Sequence, residues 1–300
     1  MKVLVTGARG FIGRSTIAPL MSSGFEVHAV GRSRGEAAVE WHVADLHDRS
    51  GMRRVVETVR PTHLLHLAWC AIPGEFWTSA ENLRWIESSL SLLEGFAESG
   101  GRRAVFAGTC VEYAPGEETR NEESTPLRPD TLYGASKLAF ALVAAQYCRQ
   151  KNIGFTWGRL FQPYGPHEHP SRVIPAVINA LLRGEPARCT AGDQIRDFIH
   201  VADCGRAFAA LVAGDVDGAF NIATGVPHRL GDVLRLIARR LGREELLQLG
   251  ALPQRAGEAP SIVADVSRLR RIGWSESLTL EEGIDDAIDW WREAVSAGAS

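Results

Sequence analysis

The sequence lacks the features that would place the protein in a membrane or a secretory pathway. No window of the 300 residues approaches the roughly 18 consecutive apolar residues that a membrane span needs. Residues 1–20 lack the charged start, apolar block and small-residue cleavage site of a signal peptide. We therefore expect a cytoplasmic protein with no membrane partner.

Cysteine is also scarce, and its pattern excludes two kinds of site. The five cysteines are scattered through the chain: Cys70, Cys110, Cys148, Cys189 and Cys204. Their odd number and wide spacing argue against a disulfide framework or a zinc site and agree with a reducing compartment. His167, Glu168 and His169 are adjacent, and adjacent residues do not converge on one ion without further ligands. We expect no metal.

A strong charge of either sign is missing as well. Lysine and arginine number 33 against 36 aspartates and glutamates, for a formal net charge of −3. Such a balance offers no electrostatic reason to expect a nucleic acid as partner.

What the sequence does contain is a regular alternation of strand and helix patterns. Short apolar runs predict buried strands at 2–6, 26–30, 62–68, 103–108 and 155–160. Amphipathic stretches predict helices between them, at 12–23, 49–59, 82–99 and 133–150. This alternation indicates an α/β protein with a Rossmann-like, doubly wound parallel sheet.

The regular alternation of strand and helix patterns ends at about residue 160. Loops rich in proline and glycine appear, and helices are predicted at 172–183, 202–213, 230–241 and 279–296. We predict a dinucleotide-binding Rossmann domain over 1–160. Residues 161–300 would form a smaller, partly helical substrate region, with some segments returning to the Rossmann sheet.

A glycine-rich run follows the first predicted strand and opens the first helix. It contains Gly7, Gly10, Phe11, Ile12 and Gly13. Glycines at this spacing allow a tight turn, close approach of a pyrophosphate and close packing of the helix on the strand. The N-terminus of the helix then binds the anion. The run predicts a dinucleotide site.

The end of the second strand bears on which dinucleotide binds. An NAD site usually has an acid there, whereas an arginine accommodates the 2′-phosphate of NADP. Gly31 occupies the acid's position, and Arg32 and Arg34 flank Ser33, which favours NADP(H) over NAD(H). Four more residues at strand ends are predicted cofactor contacts: Asp45, Leu46, Leu67 and Ala68.

Tyr133 and Lys137 start the helix predicted at 133–150. Their spacing of four puts both side chains on one helical face. A phenol is a poor acid–base catalyst at neutral pH, but a neighbouring ammonium and an oxidised nicotinamide favour the phenolate and lower its pKa. Thr109, at the end of an intervening strand, is the predicted hydroxyl that steers the substrate oxygen.

Together these motifs resemble the extended short-chain dehydrogenase/reductase family, in its nucleotide-sugar epimerase, dehydratase and reductase branch. Residues 6–13 match the family's glycine fingerprint, and 132–137 match its active-site motif. Thr109 precedes Tyr113 by four residues, as the catalytic Ser or Thr does in the family. Residues 159–166 match a further segment, with Gln162 replacing the usual Asn.

The resemblance implies a nucleotide-diphosphate sugar as substrate. Residues implied to contact it are Thr109, Tyr133, Gln162, Arg172, Arg196 and Arg255. It also implies a homodimer in which helices 82–99 and 133–150 pair with those of a second copy. Their apolar residues Leu90, Leu93, Phe140, Leu142 and Val143 agree equally well with core packing.

Departures from the family pattern reduce the number of reactions that the resemblance implies. Family dehydratases have Asp-Glu directly after the catalytic Thr, where this chain has Cys110 and Val111. Family epimerase-reductases place a Cys and a His at the positions of Val111 and Arg172. The resemblance therefore implies NADPH-dependent reduction of the 4-keto group of a nucleotide-linked 4-keto-6-deoxyhexose in deoxysugar biosynthesis. An NAD-retaining 4-epimerase and a non-catalytic dinucleotide-binding protein remain as alternatives.

Overall fold

Seven parallel strands form the central sheet of the protein in a computed structural model, which describes residues 1–70, 72–116, 119–254 and 257–297. The strands are β1 (Lys2–Thr6), β2 (Glu26–Gly31), β3 (Glu40–Val43), β4 (His63–His66), β5 (Arg103–Thr109), β6 (Gly154–Leu160) and β11 (Gly218–Ile222). Their order across the sheet is β11-β6-β5-β4-β1-β2-β3. Every neighbouring pair is parallel.

Helices cover both faces of this sheet. One face carries α1 (Phe11–Ser22) and α6 (Val201–Ala213), and the other carries α2 (Arg49–Val59), α3 (Glu81–Glu98) and α4 (Leu132–Lys151). Every residue of β5 is buried, as expected of a parallel strand covered on both sides. The predicted α/β, doubly wound fold is confirmed.

Three of the remaining helices form a second layer beyond the carboxyl ends of the strands. Helices α5 (Val173–Leu182), α7 (Leu230–Leu241) and α9 (Leu280–Ser296) share a separate apolar core, and α8 (Ser267–Arg271) packs near β11. Short strands β7 (Gln162–Tyr164), β8 (Ala187–Arg188), β9 (Ile195–Arg196), β10 (Phe198–His200), β12 (His228–Arg229), β13 (Leu247–Gln248) and β14 (Ser261–Ile262) connect them. In the described part of the chain, 3-10 helices span Cys110–Glu112 and Glu244–Leu246.

Two elements from beyond residue 160 belong to the Rossmann layers. Strand β11 pairs with β6, and α6 packs along α1. Gly205 allows that close helix pair, because a Cβ there would lie 2.0 Å from the Ser15 carbonyl oxygen. Among the helices of the described segments, none is long and apolar enough to cross a membrane.

Candidate active site

A cleft of about 2060 Å³ opens where the carboxyl ends of the parallel strands meet the second layer. Ligands of open α/β sheets bind at this edge. Pockets for one small ligand usually measure about 300–1,000 Å³, so the cleft has room for a dinucleotide and a second molecule. Its lining includes these predicted residues: Gly7, Gly10, Phe11, Ile12, Gly13, Arg32, Asp45, Leu46, Leu67, Ala68, Thr109, Tyr133, Lys137, Gln162, Arg172 and Arg196.

The glycine loop has the geometry that a pyrophosphate needs. Gly7 adopts a φ of +72°, and a Cβ on it would lie 2.7 Å from the Ala68 nitrogen. A Cβ on Gly13 would lie 2.1 Å from the Gly7 oxygen, so helix and loop could not pack as they do. Gly10 caps α1 without a side-chain hydrogen bond, and the first turn contains no acid. Its backbone N–H groups are thus suited to an anionic ligand.

The end of β2 is rich in cations. Arg32 lines the cleft, while Ser33 and Arg34 lie outside its lining in the part of the chain that the structure describes. Arg9, which the sequence analysis did not single out, also lines the cleft, and its Nη1 donates a hydrogen bond to Ser33 Oγ. The position of Arg9 between two fingerprint glycines was the available signal for its role.

Lys137 lies beneath the cleft in a mostly apolar setting. Its Nζ donates to the Ala107 carbonyl at 2.9 Å and lies 3.9 Å from the centre of the Trp69 ring. Burial lowers the pKa of Lys137 to about 7, because desolvation disfavours the ammonium. The helix that carries it begins at a Thr131 cap, whose hydroxyl accepts from the Gly134 N–H at 3.1 Å.

The ionisation of Tyr133 in the protein alone is set by its surroundings. Burial raises the pKa of Tyr133, and a hydrogen bond with the Thr109 side chain opposes that rise. The lowering of this pKa by Lys137 together with an oxidised nicotinamide stays a prediction. A phenol that keeps its proton is a proton donor.

Thr109 is held from below by a buried carboxylate that the sequence analysis did not identify. Glu112 has an exposure of 0% and accepts the Thr109 N–H at 2.8 Å. It also accepts from Trp157 Nε1 at 3.0 Å and from Arg159 Nε at 2.8 Å. Gly108 leaves room for this arrangement, since a Cβ on it would lie 2.1 Å from Trp157 Nε1.

The residues beside Thr109 agree with the departures noted in the sequence. Burial raises the pKa of Cys110 to about 12, so its thiol does not ionise near neutral pH. Val111 lines the cleft but has no titratable group. Neither side chain therefore offers a group that ionises near neutral pH.

The predicted substrate residues lie at the far side of the cleft, where two of them have acidic partners. Arg196 Nη2 lies 2.7 Å from Glu258 Oε1, and Arg172 Nε lies 3.5 Å from Glu168 Oε1. Gln162 contributes to the lining from β7. Arg255 lies outside the described residues.

Aromatic rings form a wall beside Tyr133. The Phe76 and Trp77 rings lie 4.8 and 5.9 Å from the Tyr133 ring, both edge to face. Trp69 donates from Nε1 to Asn82 Oδ1 at 2.9 Å, which fixes its ring in the cleft. No role was predicted for these rings from the sequence. Their positions after β4, at the edge where ligands bind, were the available signal.

A cleft at the carboxyl edge of the sheet, with a Tyr–Lys pair on one helix, is the arrangement of Rossmann proteins of the short-chain dehydrogenase class. Residues 3–223 match the family described as the NAD dependent epimerase/dehydratase family. The chain belongs to that family, and the predicted membership of the extended short-chain dehydrogenases is confirmed.

Similar proteins cover nearly the whole chain. The UDP-glucose 4-epimerase of Streptomyces lividans is 27% identical over 96% of this chain and 95% of its own. The dTDP-glucose 4,6-dehydratase of Xanthomonas campestris pv. campestris is 25% identical over 96% of this chain and 92% of its own. The solved structure of Thermus thermophilus UDP-glucose 4-epimerase, a complex with NAD, is 29% identical with a TM-score of 0.85, covering 98% and 100% of the two chains.

Proposed function

We propose that the protein reduces the 4-keto group of a nucleotide-linked 4-keto-6-deoxyhexose with NADPH, as a step of deoxysugar biosynthesis. Relatives named for UDP-glucose and dTDP-glucose chemistry support a nucleotide sugar as substrate. The size of the cleft agrees with two large ligands. Bound NADPH would supply the hydride for the ketone carbon.

The proposal for NADPH rests on the residues at the end of β2 and in the glycine loop, where the adenosine of the cofactor would bind. Gly31 leaves β2 without the acid that would hold a ribose 2′-hydroxyl. Arg9 and Arg32 both line the cleft there. Guanidinium groups form bidentate hydrogen bonds with a phosphate and are always charged, so the two arginines are suited to the 2′-phosphate.

The reacting end supports reduction through proton donation. Tyr133, whose phenol holds its proton at neutral pH, would give that proton to the developing alkoxide. Thr109 would hydrogen-bond the same oxygen, with its backbone held by Glu112. Lys137 would bind the nicotinamide ribose. The substrate diphosphate would bind Arg196 and Arg255 and would compete with Glu258 for the Arg196 guanidinium.

A 4-epimerase that retains NAD is the second candidate. The observation in its favour is the repeated similarity to UDP-glucose 4-epimerases over nearly the full chain. The same Thr–Tyr–Lys set would serve it, with the hydride leaving and returning to one carbon. A purely dinucleotide-binding role has no use for that set of side chains.

An NADPH-consumption assay over CDP-, dTDP- and GDP-linked 4-keto-6-deoxyhexoses, with NADH in parallel, tests the proposal. We expect turnover with at least one sugar and a preference for NADPH that Arg9→Ala with Arg32→Ala reduces at least tenfold. NAD that stays bound through purification, together with interconversion of UDP-sugars and no NADPH consumption, would establish the epimerase instead. A clear preference of the unaltered protein for NADH contradicts the role of the arginines.

Tyr133→Phe tests the proton donor. Removing the hydroxyl should lower kcat by about 10²–10⁴-fold, the usual contribution of general acid catalysis, while Kd for NADPH changes little. Tyr147→Phe is the matched control, since it makes the same change on α4 outside the lining of the cleft. Near-normal turnover of Tyr133→Phe would show that another group donates the proton.

A further inference from the structure

Four side chains with metal-binding groups meet at the opposite end of the sheet's outer strands. Glu26 and His28 alternate along β2, and Glu40 and His42 alternate along β3. The two strands are parallel with His28 opposite Glu40 and Val30 opposite His42. Since side chains two residues apart project from the same face of a strand, all four side chains lie on the α2 side of the sheet edge.

The possible ligand atoms of His28, Glu40 and His42 lie within 4.8 Å of one another, close enough to share one metal ion. His28 Nδ1 lies 3.0 Å from His42 Nε2 and 3.6 Å from Glu40 Oε2. His42 Nε2 lies 3.8 Å from Glu40 Oε1. Two ligands of tetrahedral Zn²⁺, each about 2.0–2.1 Å from the ion, are about 3.3 Å apart. The separations of 3.0, 3.6 and 3.8 Å, the last two to different oxygens of Glu40, are close to the separation of ligands on one face of the tetrahedron.

The fourth residue orients the first ligand. His28 Nε2 donates a hydrogen bond to Glu26 Oε1 at 2.9 Å. A proton on Nε2 leaves the Nδ1 lone pair directed at His42 and Glu40. Metal-binding histidines in proteins are usually held by such a carboxylate, which also makes the imidazole a stronger ligand. A hydrogen bond between the two histidines alone would not require this carboxylate.

Burial and charge at the cluster also favour a cation. His28 is 2% exposed and the His42 side chain is 14% exposed, so both imidazoles are held in place by the packing around them. Two carboxylates outweigh one cation, Lys2, whose Nζ lies 3.6 Å from Glu26. The Glu40 side chain is 63% exposed, so water can reach the cluster.

We propose that His28, Glu40 and His42 bind one divalent late transition-metal ion, with Zn²⁺ as the ion of choice, and that Glu26 positions His28. Two imidazoles and a carboxylate suit Zn²⁺, whereas Mg²⁺ requires an octahedron of oxygens. The ion would join the last two strands of the sheet. None of the four residues belongs to the cleft lining within the described chain, so the site is structural and separate from the proposed reaction.

The position of this cluster explains why the sequence pointed to no metal. His28 and His42 are 14 residues apart and approach each other only through strand pairing. His167 and His169 are close together in the sequence. The side chains whose ligand atoms lie close together in the structure are those of His28, Glu40 and His42.

Zinc titration of the full chain, without a histidine tag and after chelator treatment and desalting, tests the proposal. We expect calorimetry to give one Zn²⁺ per chain and no heat with Mg²⁺. His42→Ala and Glu40→Gln should each weaken Zn²⁺ binding at least tenfold, and Glu26→Gln about 10–100-fold, as for other outer carboxylates. His228→Ala, which removes a histidine elsewhere, should bind like the unaltered protein.

Thermal unfolding gives a second readout. Zn²⁺ should raise the Tm of the unaltered protein and of His228→Ala but not that of Glu40→Gln, because a ligand that binds only the folded state stabilises it. Glu26 and Glu40 are more than half exposed, so their glutamine variants should fold normally. No binding at one equivalent, or equal Zn²⁺ affinity in Glu40→Gln, His42→Ala and the unaltered protein, would overturn the assignment.

Discussion

At the scale of single residues, the surroundings of Glu168 change the pKa of its carboxyl group. Its side chain is 6% exposed and lines the cleft. Its Oε2 has no hydrogen-bond partner among the described residues, and Arg172 Nε is 3.5 Å from its Oε1. Burial raises the pKa of Glu168 to about 8, because one guanidinium at that distance does not replace the lost hydration. A neutral carboxyl here could donate a hydrogen bond to a ligand.

The raised pKa of Glu168 predicts a pH-dependent stability. The folded state keeps a proton that the unfolded chain, with a pKa near 4.5, releases. The contribution of Glu168 to the free energy of unfolding should therefore fall by about 2 kcal/mol as the pH rises from 6 to 8. Glu168→Gln, which mimics the neutral form, should remove this fall. Urea unfolding at both pH values measures it, and an unchanged slope in the variant would contradict the assignment.

At the scale of elements, strand β4 is tied to its neighbours through His66. Its Nδ1 lies 2.7 Å from Thr6 Oγ1 on β1, and its Nε2 lies 2.8 Å from Ser89 Oγ on α3. Burial lowers the pKa of His66 to about 3. The neutral imidazole thus links the centre of the sheet to a covering helix.

His66 should make the protein sensitive to mild acid. Below pH 6.5 the unfolded chain takes up a proton that the folded state excludes, so stability is lost as the pH falls toward 3. Between pH 7 and pH 5 the free energy of unfolding should drop by about 2 kcal/mol from this residue. His66→Gln should lessen the drop, and the exposed His169→Gln should not. An equal drop in both variants would assign the acid sensitivity to other groups.

At the scale of the whole molecule, the structure separates core from surface on α3 and α4. Leu93 and Phe140 are 1% exposed and belong to the core. Leu142 and Val143 are 59% and 51% exposed. Of the five apolar residues that agreed with both dimer contact and core packing, only Leu142 and Val143 are exposed enough to contact a second copy. Leu90 packs partly against the core.

We predict a homodimer through α3 and α4. Light scattering coupled to gel filtration should give twice the chain mass of 32.7 kDa. Leu142→Asp with Val143→Asp should give the mass of one chain, because a charge at an apolar interface loses its hydration. Val226→Asp, at another exposed apolar residue, is the control. A monomer in the unaltered protein, or a dimer in the double variant, contradicts this arrangement.

The sequence by itself determined five of the seven strands of the Rossmann sheet and the centre of the site. Strands and helices follow from apolar periodicity, which acts over a few residues, and the predicted bounds in the first half agree with the structure to within about two residues. The spacing of Gly7, Gly10 and Gly13 and that of Tyr133 and Lys137 are equally local. Their side chains and backbone reach one cleft because the carboxyl ends of parallel strands share one edge.

Only the tertiary structure decided what depends on neighbours distant along the chain. Glu112 beneath Thr109, the pairing of Arg196 with Glu258 and the raised pKa of Tyr133 all arise from packing and burial. The convergence of His28, Glu40 and His42 comes from the register of two paired strands. Desolvation and strand register are properties of the folded chain, and no local pattern of residues encodes them.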